Sequence, residues 1–193
     1  VFSIYKGYSS NDIIRNKCSS GGAISSIAIY LLESKQIDYV IHIGPSNNWV
    51  QNELKISNTA KEVLNNCGSR YSPSAPLENI DDLLNKPYRY LFIGKPCDIS
   101  ALKRYSEYNK DVKDKIIYTF SFFCAGVPSI KGTKKILNNL NIEEENIKYL
   151  SYRGNGWPGS FMVKNNNGDI KTLSYQDSWG KILGRTVQFR CKI

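Results

Sequence analysis

Short apolar runs that stop at glycine- or proline-containing turns, each followed by an amphipathic segment, recur along the first 140 residues. Runs with the pattern of strands occupy 37–43, 88–93 and 116–123, and runs with helical spacing occupy 23–34, 97–108 and 129–140. Strand, turn and helix repeated in this order favour neighbouring parallel strands. The pattern therefore predicts an α/β fold with a largely parallel sheet flanked by helices.

The pattern changes after Glu143-Glu144-Glu145. Three segments, 147–153, 160–164 and 170–173, have the features of antiparallel strands, and a short helix is expected near 176–183. We therefore expect residues 1–145 to form an α/β cofactor-binding core, and residues 146–193 to form a C-terminal antiparallel β appendage of the same domain.

Two local predictions concern helices. In the first long helix the apolar spacing places one set of side chains on the buried face: Ile24, Ile27, Ala28, Leu31 and Leu32. After a short strand at 54–56, either Ser57 or Asn58 is expected to cap a helix that ends near Gly68.

The charge is concentrated in the second half of the chain. The net charge is +1 over residues 1–102 and +8 over residues 103–193. A basic half suits a phosphorylated cofactor, an acidic protein or nucleic acid, although it also suits an ordinary lysine-rich surface. Its aromatic residues do not alternate with basic ones along one element, so nucleic-acid binding is not favoured. No apolar run is long enough to span a bilayer.

The five cysteines form an odd set without paired spacing, which predicts a reducing compartment, the cytoplasm, rather than a disulfide scaffold. The chain begins at Val1 and ends just after Cys191, one position short of a Cys-x-x-Cys pair. We therefore expect it to be a fragment of a longer protein. Because His42 is the only histidine, zinc-protease and Ser-His-Asp mechanisms lose support.

Four segments carry residues suited to ligand chemistry. Ser19-Ser20-Gly21-Gly22 opens a helix whose free amides attract phosphate, although a plain capped turn would look the same. The strand-to-helix turns 94–98 and 124–129 each place a cysteine where parallel sheets bind ligands. Cys97 and Cys124 suit a metal, a cluster or a redox cofactor, or are small buried apolar residues.

The other two segments combine arginine with aromatic rings. Cys67-Gly68-Ser69-Arg70-Tyr71, with the turn Pro73-Ser74-Ala75-Pro76, suits a phosphate or a stacked ring, and is equally an ordinary turn. The loop from Tyr152-Arg153 to Trp157 suits one wall of a site for a flat cofactor, and equally a hairpin with a packing tryptophan.

Taken in order, five motifs resemble those of the coenzyme F-420 hydrogenase/dehydrogenase beta-subunit family. They are Ser20-Gly21-Gly22-Ala23, Gly68-Ser69-Arg70-Tyr71, Gly94-Lys95-Pro96-Cys97-Asp98, Phe123-Cys124-Ala125-Gly126-Val127-Pro128-Ser129 and Tyr152-Arg153-Gly154-Asn155-Gly156-Trp157. The resemblance implies a flavin-dependent oxidoreductase domain that holds FAD and a [4Fe-4S] cluster. Such a domain relays hydride or electrons between a reduced coenzyme, either a deazaflavin or a ferredoxin-like donor, and an iron–sulfur protein or other subunits of a redox complex.

The resemblance also implies roles for residues. The expected cofactor-binding residues are Ser20, Gly21, Gly22, Ser69, Arg70, Tyr71, Gly94, Lys95, Pro96, Gly126, Arg153 and Trp157. The expected catalytic residues are Cys97, Lys95 and Arg153, and the expected metal ligands are Cys97, Cys124 and Cys191. A non-catalytic accessory module on the same scaffold, for example in surface-polysaccharide assembly, is the alternative.

Overall fold

A computed structural model describes residues 3–192. Its helices are α1 (Asp12–Lys17), α2 (Ala23–Glu33), α3 (Ala60–Asn65), α4 (Ile80–Leu84), α5 (Pro96–Tyr105), α6 (Asp111–Lys115) and α7 (Ile130–Asn139). Its strands are β1 (Tyr39–Pro45), β2 (Asn52–Ser57), β3 (Tyr90–Gly94), β4 (Ile116–Ser121), β5 (Ile147–Ser151), β6 (Ser160–Asn165) and β7 (Ile170–Ser174). A π-helical turn at Gln176–Gly180 and 3-10 turns at Leu183–Thr186 and Phe189–Cys191 follow.

The first four strands form one sheet in the order β2-β1-β3-β4. Strands β1 and β2 are an antiparallel hairpin, while β1 with β3 and β3 with β4 are parallel. The last three strands form a separate antiparallel sheet in the order β5-β6-β7. The predicted fold class, a largely parallel sheet with an antiparallel appendage, is therefore confirmed.

Alternating side chains of the four-stranded sheet enter two different cores. Val40 and Leu91 pack with α2 and α3 on one face, while Ile41 and Phe92 pack with α4, α5 and α6 on the other. Both faces are covered, so these strands carry nearly continuous apolar residues. No helix of the described residues is both long and apolar enough to cross a membrane.

A third core lies between α7 and the three-stranded sheet. Ile136 and Leu137 of α7 pack with Leu150 of β5 and Phe161 of β6. The boundary expected at residue 145 thus falls between elements that share one core, and the division at that point stays a prediction. The segment after the three-stranded sheet returns to the turn that follows β4, where Gln188 N donates to Val127 O at 2.9 Å.

The two local helix predictions were wrong in detail. Ile27 is 48% exposed, whereas Ile29, which was not assigned to the apolar face, is buried. Thr59 caps α3 in place of Ser57 or Asn58, because its Oγ1 accepts from Glu62 N at 3.2 Å and the Glu62 carboxylate accepts from the Thr59 amide. Ser57 is instead buried at the end of β2.

Leu91→Ala is expected to destabilise the protein more than a matched exposed substitution in the same sheet. Leu91 is fully buried, so truncation leaves a cavity and costs about 2–5 kcal/mol of unfolding free energy. Ile117→Ala, at a residue 41% exposed on β4, should cost less than about 1 kcal/mol. Urea unfolding followed by circular dichroism measures both, and equal costs would contradict this packing.

Candidate functional site

A cavity of about 450 Å³ opens at the carboxyl ends of the parallel strands. Loops from both halves of the chain line it: residues 18–20 and 22–25 around the start of α2, 66–72 after α3, 93–95 after β3 and 122–128 after β4. Arg153, Tyr175 and Trp179 close it from the side of the three-stranded sheet. Ligands of open α/β sheets bind at this edge.

The start of α2 supplies free backbone donors to the cavity wall. Gly22, the residue preceding the helix, has a φ of 77° and makes no side-chain cap. A Cβ at Gly22 would lie 2.9 Å from Ile14 Cγ2, so close packing on α1 requires glycine there. The first amides of α2, at residues that line the cavity, therefore have no side-chain acceptor and suit an anion.

Arg70 binds protein oxygens rather than pointing free into the cavity. Its Nη2 donates to Trp49 O at 2.6 Å and to Gln51 O at 3.1 Å, its Nε donates to Asn52 Oδ1 at 2.8 Å, and its Nη1 donates to Leu150 O at 3.4 Å. Burial lowers the pKa of this guanidinium from its usual value. These contacts favour a structural role, and the expected phosphate contact of Arg70 stays a prediction.

Lys95 lies in the cavity wall within an ion pair. Its Nζ is 2.7 Å from Asp98 Oδ2 and 3.0 Å from Ser74 Oγ, and the lysine and aspartate side chains are only 14% and 13% exposed. Asp98 also accepts the Lys95 amide at 2.8 Å. The ammonium is therefore held in place at the start of α5, beside the open space of the cavity.

Arg153 presents a cation to the opposite side of the cavity. Its Nε donates to Pro158 O at 2.8 Å, and its guanidinium carbon lies 4.9 Å from the centre of the Tyr175 ring. Within residues 3–192, neither terminal nitrogen of Arg153 makes a hydrogen bond to protein, so both have donors to offer. Next to it, the rings of Tyr71 and Trp179 lie 4.6 Å apart between centroids.

The structure brings most of the expected cofactor-binding residues to this one cavity. Those that line it are Ser20, Gly22, Ser69, Arg70, Tyr71, Gly94, Lys95, Gly126 and Arg153. Gly21 and Pro96 are next to lining residues without lining it themselves. Trp157 is 81% exposed and stands away from it. Which of these bind a cofactor stays a prediction.

The three cysteines expected as metal ligands are exposed, and only Cys124 lines the cavity. Cys191 lies beside the turn after β4, because a Cβ at Gly126 would be 3.3 Å from Cys191 Cβ. Cys97 lies in the first turn of α5. Among the described residues, no group of three or more His, Cys, Asp or Glu side chains could hold a metal ion. The residues present therefore do not fit a four-thiolate cluster.

His42 is a cavity residue that the sequence did not assign to the site. It is buried in β1, with Nε2 2.8 Å from Ser57 Oγ. Burial, helped by the charge of Lys55, lowers its pKa to about 4, so it is neutral at pH 7. Cys18 and Cys67 also line the cavity. Cys18 directly precedes one turn that the sequence singled out, and Cys67 is the first residue of another.

Arg70→Ala is expected to lower the free energy of unfolding by at least about 3 kcal/mol, because three backbone carbonyls lose a charged donor. Arg89→Ala is the control: its ion pair with Asp38 is on the surface, where water screens it, so this substitution should cost clearly less than Arg70→Ala. Chemical denaturation of the two variants checks this, and a cost for Arg70→Ala as small as the control's would refute the structural role.

His42 predicts a pH dependence of stability. The pKa of His42 is about 6.5 in the unfolded chain and about 4 in the folded protein. Between these pH values only the unfolded chain binds a proton at His42, so lowering the pH favours unfolding. Between pH 6.5 and 5, wild type should lose about 2 kcal/mol more unfolding free energy than His42→Gln. Denaturation at both pH values measures the difference, and parallel losses in the two proteins would show that His42 is not buried neutral.

Two family models match this chain. Residues 4–80 match a model described as coenzyme F420 hydrogenase/dehydrogenase, beta subunit N-term. Residues 88–193 match its counterpart, which describes the C terminus of the same beta subunit. The two models together account for nearly the whole chain.

Relatives carry the same designation. The chain is 25% identical over 171 residues to the coenzyme F420 hydrogenase subunit beta of Methanococcus voltae, covering 86% of this chain and 59% of that protein. It is 25% identical over 193 residues to the F420-dependent formate dehydrogenase subunit beta of Methanocaldococcus jannaschii, covering 95% of this chain and 47% of that protein. The chain thus spans roughly half the length of these relatives.

A solved structure has the same fold. The F420-reducing [NiFe] hydrogenase complex from Methanosarcina barkeri, solved as a xenon derivative, contains a chain that superposes with a TM-score of 0.71 at 22% identity. The match covers 95% of this chain and 62% of that chain. With both family models matched and the fold shared, the chain belongs to the coenzyme F420 hydrogenase/dehydrogenase beta-subunit family.

Proposed function

We propose that this chain is a flavin-binding redox domain, with FAD as the flavin. It would relay hydride or electrons between a reduced coenzyme, the deazaflavin F420 or a ferredoxin-like donor, and an iron–sulfur partner. The observation that carries the proposal is the cavity itself. There an uncapped helix start and the free donors of Arg153 lie together with the adjacent, mutually tilted rings of Tyr71 and Trp179.

The donor set suits the two chemically different parts of a flavin dinucleotide. The amides at the start of α2 and the guanidinium of Arg153 are suited to a diphosphate. The amides carry partial positive charges and the guanidinium a full one, and both have unused N–H groups. The aromatic rings of Tyr71, Tyr175 and Trp179 offer apolar surface to a flat ring system. The cavity volume lies within the range of small-molecule sites.

A bound flavin would supply hydride uptake followed by release of single electrons. The protein would hold the flavin in position and supply the electrostatic field around it. Lys95, fixed by Asp98 and Ser74, would place a positive charge near one edge of the ligand. Neutral His42 would add a hydrogen-bonding group without adding charge. Of the expected catalytic residues, Lys95 and Arg153 line the cavity and Cys97 does not.

The relatives' designations support the choice of coenzyme and partner. They name an F420 hydrogenase and an F420-dependent formate dehydrogenase, and the solved relative is part of a complex. We therefore propose F420 as the coenzyme that exchanges hydride at this site, and other subunits of a redox complex as partners. The described residues do not gather cluster ligands, so we assign no electron-transfer step to a cluster within residues 3–192. The five unpaired thiols suit the cytoplasm.

Titration of the purified chain with FAD, followed by flavin fluorescence, tests the proposal. Lys95→Met should weaken FAD binding about 10-fold or more, because it removes a cation and leaves the Asp98 carboxylate unpaired beside an anionic ligand. Lys103→Met is the control on the same helix, since Lys103 is exposed, and should leave the affinity unchanged.

Saturable binding that is weakened only by Lys95→Met supports the flavin site. A folded chain that binds no FAD at millimolar concentration would contradict it, and would favour the non-catalytic module on the same scaffold. Equal affinity in wild type and Lys95→Met would overturn the assignment of Lys95 while leaving flavin binding intact.

A further inference from the structure

Two cysteines far apart in the sequence meet in the cavity wall. Cys18 directly follows α1 and Cys67 lies just after α3. A Cβ at Gly68, next to Cys67, would lie 3.8 Å from Ser19 Oγ and 4.0 Å from Lys17 O, on either side of Cys18. The neighbouring residues hold the two segments together, because Ser69 N donates to Ser19 Oγ at 2.7 Å. Cys67 packs against the apolar cluster that contains Cys18. The contact is therefore built into the fold.

The surroundings of Cys18 favour its thiolate. Cys18 Sγ can accept a hydrogen bond from the Cys67 thiol, lies 3.3 Å from Ser25 Oγ in the first turn of α2, and is near the Lys17 ammonium. Lys17 Nζ itself lies 3.5 Å from Asn65 Oδ1, so its charge is directed toward the end of α3. These interactions outweigh burial and lower the pKa of Cys18 to about 7.

The same contact has the opposite effect on Cys67. Its proton is engaged by the Cys18 thiolate, and a second negative charge beside the first is unfavourable, so the pKa of Cys67 is raised. Near neutral pH the pair therefore holds one proton between two sulfur atoms. One thiolate backed by a neighbouring thiol is the arrangement that supports thiol–disulfide exchange.

Both sulfur-bearing residues are reachable from the cavity. Cys18 and Cys67 line it although Cys18 is only 6% exposed overall, so a small reagent that enters the cavity meets them. They adjoin the Ser19–Gly22 and Gly68–Tyr71 turns. A covalent bond between them would tie the segment entering α2 to the segment leaving α3.

We propose that Cys18 and Cys67 are a redox-active dithiol that is oxidised reversibly to a disulfide by low-molecular-weight disulfides. The Cys18 thiolate attacks a reagent R–S–S–R, forming Cys18–S–S–R and releasing one thiolate RS⁻, which takes up the Cys67 proton. The Cys67 thiolate then attacks Cys18 Sγ, forming the Cys18–Cys67 bond and releasing a second RS⁻. Two protein thiols are oxidised and one reagent disulfide is reduced to two thiols, so the chemistry needs no flavin.

Peptide mapping after oxidation tests the proposal. The full chain, reduced and then treated at pH 7 with 2-hydroxyethyl disulfide, should yield a Cys18–Cys67 linked peptide pair that disappears on reduction. Cys67→Ser should accumulate the mixed disulfide on Cys18, because the resolving thiol is missing. Cys18→Ser should form no linked pair, and Cys97→Ser, which removes an exposed cysteine, should give the wild-type yield of the Cys18–Cys67 bond.

A pH profile distinguishes a redox pair from two cysteines that merely pack together. The alkylation rate of Cys18 with iodoacetamide should reach half its maximum near pH 7 in wild type. Cys67→Ala should shift that midpoint upward by about one pH unit, since it removes the thiol that stabilises the thiolate. If the wild-type chain forms no Cys18–Cys67 bond while its exposed cysteines react, or if Cys18 titrates near pH 8.5 or above with Cys67 present, the proposal is wrong.

Discussion

The half-buried guanidinium of Arg70 connects the two sheets of this protein. It binds main-chain oxygens of the loop between β1 and β2 and one carbonyl of β5, while its face packs 5.1 Å from the centre of the Tyr152 ring. A planar group with five donors is suited to joining several carbonyls at once. Because the cavity takes one wall from each sheet, its shape depends on this connection.

The apolar pattern of the sequence was sufficient to predict the architecture. In β1 and β3, alternate residues such as Val40 and Ile41 serve opposite cores, which is why these runs are apolar throughout and easily recognised. The cap at Thr59 and the exposed Ile27 were not predictable in this way. The position of the cap depends on where β2 ends, and the exposure of Ile27 depends on which neighbours cover each side of α2.

The candidate site was predictable to the extent that it lies in turns. Glycine, proline and cysteine mark the turns after β3 and β4, and parallel topology brings such turns to one edge. Side-chain partners were not predictable, because the carbonyls that Arg70 binds and the contact between Cys18 and Cys67 involve segments distant in the sequence. The orientation of the Trp157 side chain was not predictable either, because it depends on the conformation of its loop, which leaves the ring exposed to solvent.

We propose that the cavity holds a flavin dinucleotide with its diphosphate at the start of α2. A crystal structure of the chain grown with saturating FAD measures this directly. We expect diphosphate oxygens within about 3.2 Å of the amide nitrogens of Ala23 or Ile24, and the ring system against Tyr71, Tyr175 or Trp179. FAD bound outside the cavity, or an empty cavity at saturating FAD, would contradict it.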